Sequence, residues 1–272
     1  MRSKITGGET KYIFTAKILE KYDVKYYQCE ETGFIQTEEP YWLGDAYSSA
    51  ITKLDLGLPY RNELLRSRVV GMINKYFDKE GVYLDYAGGY GLFTRLMRDQ
   101  GFNFYHSDRY CENLFAEYFD LNDINKKGEF DLVTAFELFE HMADPMTEIF
   151  EITKLSNHIL FTTELQPDSK LDSVDSWWYF IPETGQHISL HTIKSLTYIA
   201  EKLGYNFYTD GTSNHLFTKS NFSKNPFERS REPFFIRKIR KILNNFDSKA
   251  SPQRKSLLTT DWLYVKSKLG NK

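Results

Sequence analysis

Apolar positions along the chain change their period several times, and the changes mark out its elements. From Asn62 to Phe77, residues Leu64, Leu65, Val69, Val70, Ile73 and Tyr76 recur at helical spacing and predict an amphipathic helix. Val82-Tyr83-Leu84 is a short strand-type run that breaks into glycines at 88, 89 and 91 and then into a second helical stretch, Leu92 to Met97. Phe102 to Asp108 reads as a second strand ending in an acid. Phe130 to Phe136 reads as a buried strand, Met146 to Lys154 as a helix begun by Asp144-Pro145, and Asn157 to Thr163 as a further strand. His191 to Leu203 is helical by its period and stops at Gly204. Tyr205 to Tyr208 and His215 to Thr218 flank Asp210-Gly211 and form a closing antiparallel hairpin. Strands alternating with helices predict an α/β domain with a mostly parallel sheet.

The two ends follow other patterns. Val24 to Cys29 alternates, Gly33 to Gln36 continues the strand character, and Pro40 stops it, which predicts a small β appendage over residues 1–45. Within it, Ser3-Lys4-Ile5-Thr6-Gly7 and Cys29-Glu30-Glu31-Thr32-Gly33 share an x-x-Thr-Gly pattern. With cysteine at Ser3, Thr6 and Thr32 these would be the two knuckles of a zinc ribbon. Hydroxyls are poor zinc ligands, so no metal is expected. The main domain spans residues 46–220 and a helical extension spans 221–272. In the extension, Phe234, Phe235, Ile236, Ile239, Ile242 and Leu243 interleave with Arg237, Lys238, Arg240 and Lys241. Such a basic amphipathic helix suits peripheral contact with an anionic membrane, although folding back onto the domain is the commoner fate.

Candidate chemistry centres on the turn after the first strand. A glycine turn lets the chain visit positive φ and brings backbone amides close to a ligand. The dinucleotide pattern G-x-G-x-x-G fails here, because Gly89-Tyr90-Gly91-Leu92-Phe93-Thr94 ends in threonine. Asp108, at the tip of the second strand, is placed to accept hydrogen bonds from ribose hydroxyls. The string Asp85-Tyr86-Ala87-Gly88-Gly89-Tyr90-Gly91 resembles the first motif of the class I S-adenosylmethionine-dependent methyltransferases, with Ala87 where glycine is more usual. Phe130-Asp131-Leu132-Val133, followed by Glu140-His141-Met142-Ala143-Asp144-Pro145, is similar to the fourth-strand motif of a large branch of that family. The resemblance implies a Rossmann-like fold with a seven-stranded sheet and S-adenosylmethionine as cofactor. It also implies cofactor contacts. Asp85, Ala87, Gly88, Gly89 and Gly91 would cradle the methionine end and Arg61 would pair with its carboxylate, with Tyr60 beside it. Arg109 would flank the adenosine, and Phe119 and Asp120 would meet the adenine.

The segment Trp177-Trp178-Tyr179-Phe180-Ile181-Pro182-Glu183-Thr184-Gly185-Gln186-His187 sets adjacent aromatics before a turn rich in polar groups. Flat aromatic faces with amide and imidazole donors suit a sugar ring, so Trp177, Trp178, Tyr179, Glu183 and Gln186 are candidate acceptor residues. The segment looks like those of methyltransferases of polysaccharide and deoxysugar biosynthesis. Methyl transfer from a sulfonium needs an aligned nucleophile and a group to take its proton. His187 is the first candidate base and His141 the second, with Glu137, Glu164 or Glu183 orienting base or acceptor.

Composition narrows the class of partner. With 35 basic and 37 acidic residues among 272, the net charge of −2 exerts no overall pull towards nucleic acid, and a small-molecule or glycan acceptor is expected. Two cysteines allow no disulfide framework, no apolar leader follows Met1, and a cytoplasmic location is the default expectation. The reading is O-methylation of a sugar or polysaccharide. C-methylation of a keto-sugar nucleotide and a non-catalytic module supporting a glycosyltransferase stand as alternatives.

Overall fold

Strands Thr10–Ile18 (β1), Tyr22–Cys29 (β2) and Ile35–Thr37 (β3) run antiparallel, and the sheet takes its fourth strand from Ser189–Leu190, far along the chain. The structure, a computed structural model, describes residues 1–48, 52, 54–124, 129–228 and 254–269. The basic segment from Phe234 to Leu243 lies outside the described residues.

The x-x-Thr-Gly repeats form matching turns. Gly7 N donates to Ser3 O at 2.8 Å and Gly33 N to Cys29 O at 2.9 Å, with both glycines at positive φ. The turns face each other, so that Thr6 Oγ1 lies 3.6 Å from Cys29 Sγ. Burial raises the Cys29 thiol, and the hydroxyls of Ser3, Thr32 and Thr6 outweigh it, bringing the thiol down to about 7.

After a short helix Leu43–Ala46 (α1), helix Leu58–Tyr76 (α2) leads into the second sheet. Its strands are Val82–Tyr86 (β4), Asn103–Ser107 (β5), Leu132–Phe136 (β6), His158–Thr162 (β7), Asn206–Thr209 (β9) and Asn214–Thr218 (β10), with Ser189–Leu190 as β8 of the first sheet. The order is β5-β4-β6-β7-β10-β9, parallel through β7 and antiparallel beyond it. Helices Leu92–Asp99 (α3), Pro145–Thr153 (α4) and Ile193–Leu203 (α5) provide the crossovers. Asp144 caps α4 by accepting from Thr147 N, and Gly204 ends α5 in the left-handed region, as the sequence pattern predicts.

This sheet has six strands among the described residues where seven were expected. The stretch beside β5 that would supply the edge strand makes a single parallel bridge, His106 to Asp120. Asp120 then caps the 3-10 turn Leu121–Asp123, and that capping box turns the backbone away before a ladder can extend.

Central strands are buried on both faces, as a parallel sheet with helices on either side requires. One face packs Val133, Ala135 and Phe161 against Ile149 and Ile152 of α4 and Leu196 and Ile199 of α5. The other packs Tyr83, Phe104 and Leu132 against α2 and α3. A third core joins Phe14, Tyr26 and Trp42 to Trp177, Tyr179 and Phe180.

Helix Leu258–Leu269 (α6) returns to the domain through a buried ion pair. Asp261 takes two bonds from Arg98, at Nε and Nη2, each 2.8 Å, and a third from Arg95 at 2.9 Å.

Candidate active site

Beyond the carboxyl ends of β4, β5 and β6 lies a cavity of about 420 Å³, where open parallel sheets place their ligands. One wall is the turn after β4. Asp85 is buried there and accepts Thr94 Oγ1 at 3.1 Å and Thr134 Oγ1 at 3.0 Å. Burial pushes its carboxyl up to about 6, against the pull of His106 and the two hydroxyls. The turn is packed around this acid. A Cβ at Gly88 would stand 2.5 Å from Asp85 Oδ2 and 2.8 Å from His106 Cδ2, so only glycine fits. Gly91 enters α3 at φ 81, with Asn113 Oδ1 2.3 Å from where its Cβ would be. Ala87 stands at φ 57, a conformation that strains any residue with a Cβ.

His106 and Asp108 brace the turn from β5. His106 Nε2 donates to Gly89 O at 2.8 Å, and Nδ1 lies 2.8 Å from Asp120 Oδ1. Asp108 accepts Gly89 N at 2.9 Å through Oδ2, and Tyr110 N and Cys111 N through Oδ1. A carboxylate has about four acceptor sites, so Asp108, which borders the cavity, keeps capacity for a ligand hydroxyl.

The floor carries the titratable groups. Glu137 ends β6 at φ 51, with Thr162 Oγ1 donating to its Oε1 at 2.7 Å. Burial and the neighbouring Glu140 raise its carboxyl above the usual range. Glu140 is fully buried. Tyr179 donates its hydroxyl to Oε1 at 2.6 Å, and burial pushes the acid up to about 7. The Thr163 hydroxyl eases that charge from nearby. His141 Nδ1 donates to Gln186 O at 3.1 Å, and His187 Nδ1 donates to Tyr179 O at 2.6 Å. The two rings lie 5.0 Å apart, edge to face. Burial lowers His141, and burial with His141 alongside lowers His187 to about 3.

Of the predicted residues, Asp85, Ala87, Gly88, Gly89, Asp108, Arg61, Glu137, His141, His187, Trp178, Tyr179 and Gln186 line this cavity together. Others stand elsewhere. Gly91 shapes the turn from behind. Phe119 is buried in the core, its ring under the buried Arg98 guanidinium at 3.7 Å and beside Tyr264, and it does not border the cavity. Asp120 is committed to His106 and to Asn113. Arg109 is exposed beside the ring of Tyr110, and Tyr60 is also exposed. Trp177 belongs to the N-terminal core, Glu183 faces solvent, and Glu164 does not border the cavity. Arg61 reaches the cavity, but Asp55 already fills its fork at 3.0 and 2.8 Å, with Glu137 3.8 Å away. Burial works against the Arg61 charge, and the two acids more than restore it.

Sequence reasoning passed over Glu140, Asp55 and Tyr47, whose ring stacks on Tyr110 at 5.1 Å. Glu140 had a signal, since it is a second acid in the strand-tip string that begins at Glu137, and it directly precedes His141.

No curated protein sequence matches the chain. Among solved structures it is similar to a methyltransferase of calicheamicin biosynthesis in its S-adenosylhomocysteine-bound form, at 15% identity over 66% of this chain with a TM-score of 0.40. The chain spans 60% of that protein's length. Magnesium protoporphyrin IX methyltransferase from Synechocystis PCC 6803 matches at 11% identity over 66% of this chain and 95% of that one, TM-score 0.43. The 1,6-didemethyltoxoflavin-N1-methyltransferase of Burkholderia thailandensis matches at 11% identity over 77% and 97%, TM-score 0.44. A family model described as a methyltransferase domain matches residues 59–209, more than half of the chain, and the chain belongs to that family.

Proposed function

We propose that this chain transfers a methyl group from S-adenosylmethionine to a hydroxyl of a sugar or polysaccharide. One observation carries the reading: a single cavity joins the glycine turn and Asp108 on one wall to the Glu137, His141 and His187 floor on another. S-adenosylmethionine supplies an electrophilic methyl group on a good leaving group. The backbone of Ala87 to Gly89 flanks the methionine end, and Asp108 receives a ribose hydroxyl. Asp85 acts behind them by holding the turn through Thr94 and Thr134.

His187 is the base. Its Nδ1 is pinned to Tyr179 O and burial keeps the ring neutral, which leaves the Nε2 lone pair, weakened as a base by that burial, to accept the proton of an acceptor hydroxyl as the methyl group leaves the sulfonium. Trp178, 68% exposed on the rim, offers a flat face for a sugar ring, and Gln186 faces the same space.

Calorimetry with S-adenosylmethionine and its demethylated product, followed by transfer of labelled methyl to a panel of sugar nucleotides, tests the proposal. In His187→Ala, turnover is expected to fall by about two to four orders of magnitude with cofactor affinity unchanged. Trp178→Ala is expected to raise KM for the acceptor. Absence of cofactor binding defeats the function, and an unchanged rate in His187→Ala defeats the base.

A further inference from the structure

The cavity floor holds more than a base. Glu140, His141 and His187 bring one carboxylate and two imidazoles so close that their ligand-type atoms all lie within 4.8 Å of one another. Both rings have Nδ1 engaged by a backbone carbonyl, at Gln186 and Tyr179. A carbonyl only accepts, so each Nδ1 carries the hydrogen and each Nε2 presents a lone pair. His141 Nε2 is 4.0 Å from Glu140 Oε1. Glu140 is 0% exposed, and its Oε2 is a buried carboxylate oxygen without a completed hydrogen bond. The His141 Nε2 lone pair thus faces the Glu140 carboxylate with the His187 ring beside both, in a place where burying an acceptor without a donor is unfavourable. A cation between them removes that penalty.

We propose that Glu140, His141 and His187 form a binding site for one transition-metal dication of the zinc and cobalt class, opening on the cavity. Imidazole nitrogens with one carboxylate suit such borderline ions better than magnesium or calcium, which prefer all-oxygen sets. Metal-binding histidines characteristically donate their second nitrogen to a carbonyl or carboxylate, and both rings here do so. The Tyr179 hydroxyl plays the same orienting part for Glu140. Three protein ligands leave a coordination position free towards the cavity, as in catalytic rather than structural zinc sites. Bonds of about 2.1 Å set tetrahedral ligand atoms roughly 3.4 Å apart, so the two rings swing inward when the ion binds.

The site rests on these contacts alone. Its consequence rests on the function proposed above: a bound dication takes the His187 Nε2 lone pair, so ion and acceptor proton exclude each other and methyl transfer falls as the site fills.

The test uses tag-free, chelator-treated full-length chain titrated with Co2+, followed by the visible ligand-field absorption of tetrahedral cobalt, and with Zn2+ in a calorimeter. One equivalent is expected to bind. His141→Ala and His187→Ala are each expected to weaken binding by roughly a hundredfold or more, and Glu140→Gln to weaken it while thermal unfolding shows the chain still folded. No stoichiometric binding by the wild-type chain, or binding unchanged in both histidine variants, overturns the site. Cofactor binding in metal-free chain keeps the two ideas separable: loss of the metal site leaves methyl transfer standing, and cobalt binding without cofactor binding leaves the site standing without the reaction.

Discussion

Asp85 shows what one buried acid does to a binding turn. Its oxygens are taken by Thr94 and Thr134, and Gly88 is glycine because a Cβ would strike Asp85. With its folded value raised to about 6 by burial, and the unfolded value near that of an ordinary carboxylate, the folded chain binds the extra proton between those limits. Stability from this group therefore falls as pH rises through that window, and the deficit persists at neutral pH. Asp85→Asn is expected to raise Tm above wild type by an amount that grows from pH 4 to pH 7, measured by calorimetry; parallel curves contradict the assignment. The acid and the glycines were legible because their spacing encodes a local turn. The partners of Arg61 and Phe119, Asp55 for one and Arg98 for the other, are set by packing that no local spacing reports.

Elements followed the apolar periods closely wherever burial is one-sided or complete. The helices from 58 to 76, 145 to 153 and 193 to 203 and the parallel strands stand where the pattern put them, within a few residues. β1 was passed over, and α6 lies within the extension read as helical, where no separate helix was located. α6 has exposed Trp262 and Leu263, so its period alone identifies no buried face, and its hold on the domain is electrostatic. Arg98 is buried, donates also to Phe104 O, and stacks on Phe119, so it has no route to water when its partner is removed. Asp261→Ala is expected to lower unfolding free energy by about 3 kcal/mol in denaturant titrations. A change within about 0.5 kcal/mol, the range of an ordinary surface substitution, contradicts a docking role for this pair.

At the scale of the whole molecule, the appendage and the domain share a sheet and a core. β8 pairs with β3, Trp42 Nε1 donates to Gly185 O at 2.8 Å, and Gln186 Nε2 donates to Ala46 O at 2.9 Å. The segment carrying His187 is thus held by residues from the first fifty. Deleting residues 1–45 is expected to expose Tyr179, Phe180 and Leu190 and to abolish cooperative unfolding; a soluble truncated chain with a sharp transition contradicts this. No helix among the described residues is long and apolar enough to cross a membrane. The sequence by itself determined the α/β alternation, the glycine turn and its acid, and the acid at the tip of the second strand, because each depends on neighbours within a turn or a period. Only the tertiary structure decided that Trp177 and Tyr179 turn inward, that Glu140 joins the histidines, and that the N-terminal strands brace the site, because contacts between segments far apart along the chain follow from how apolar faces cover one another in three dimensions.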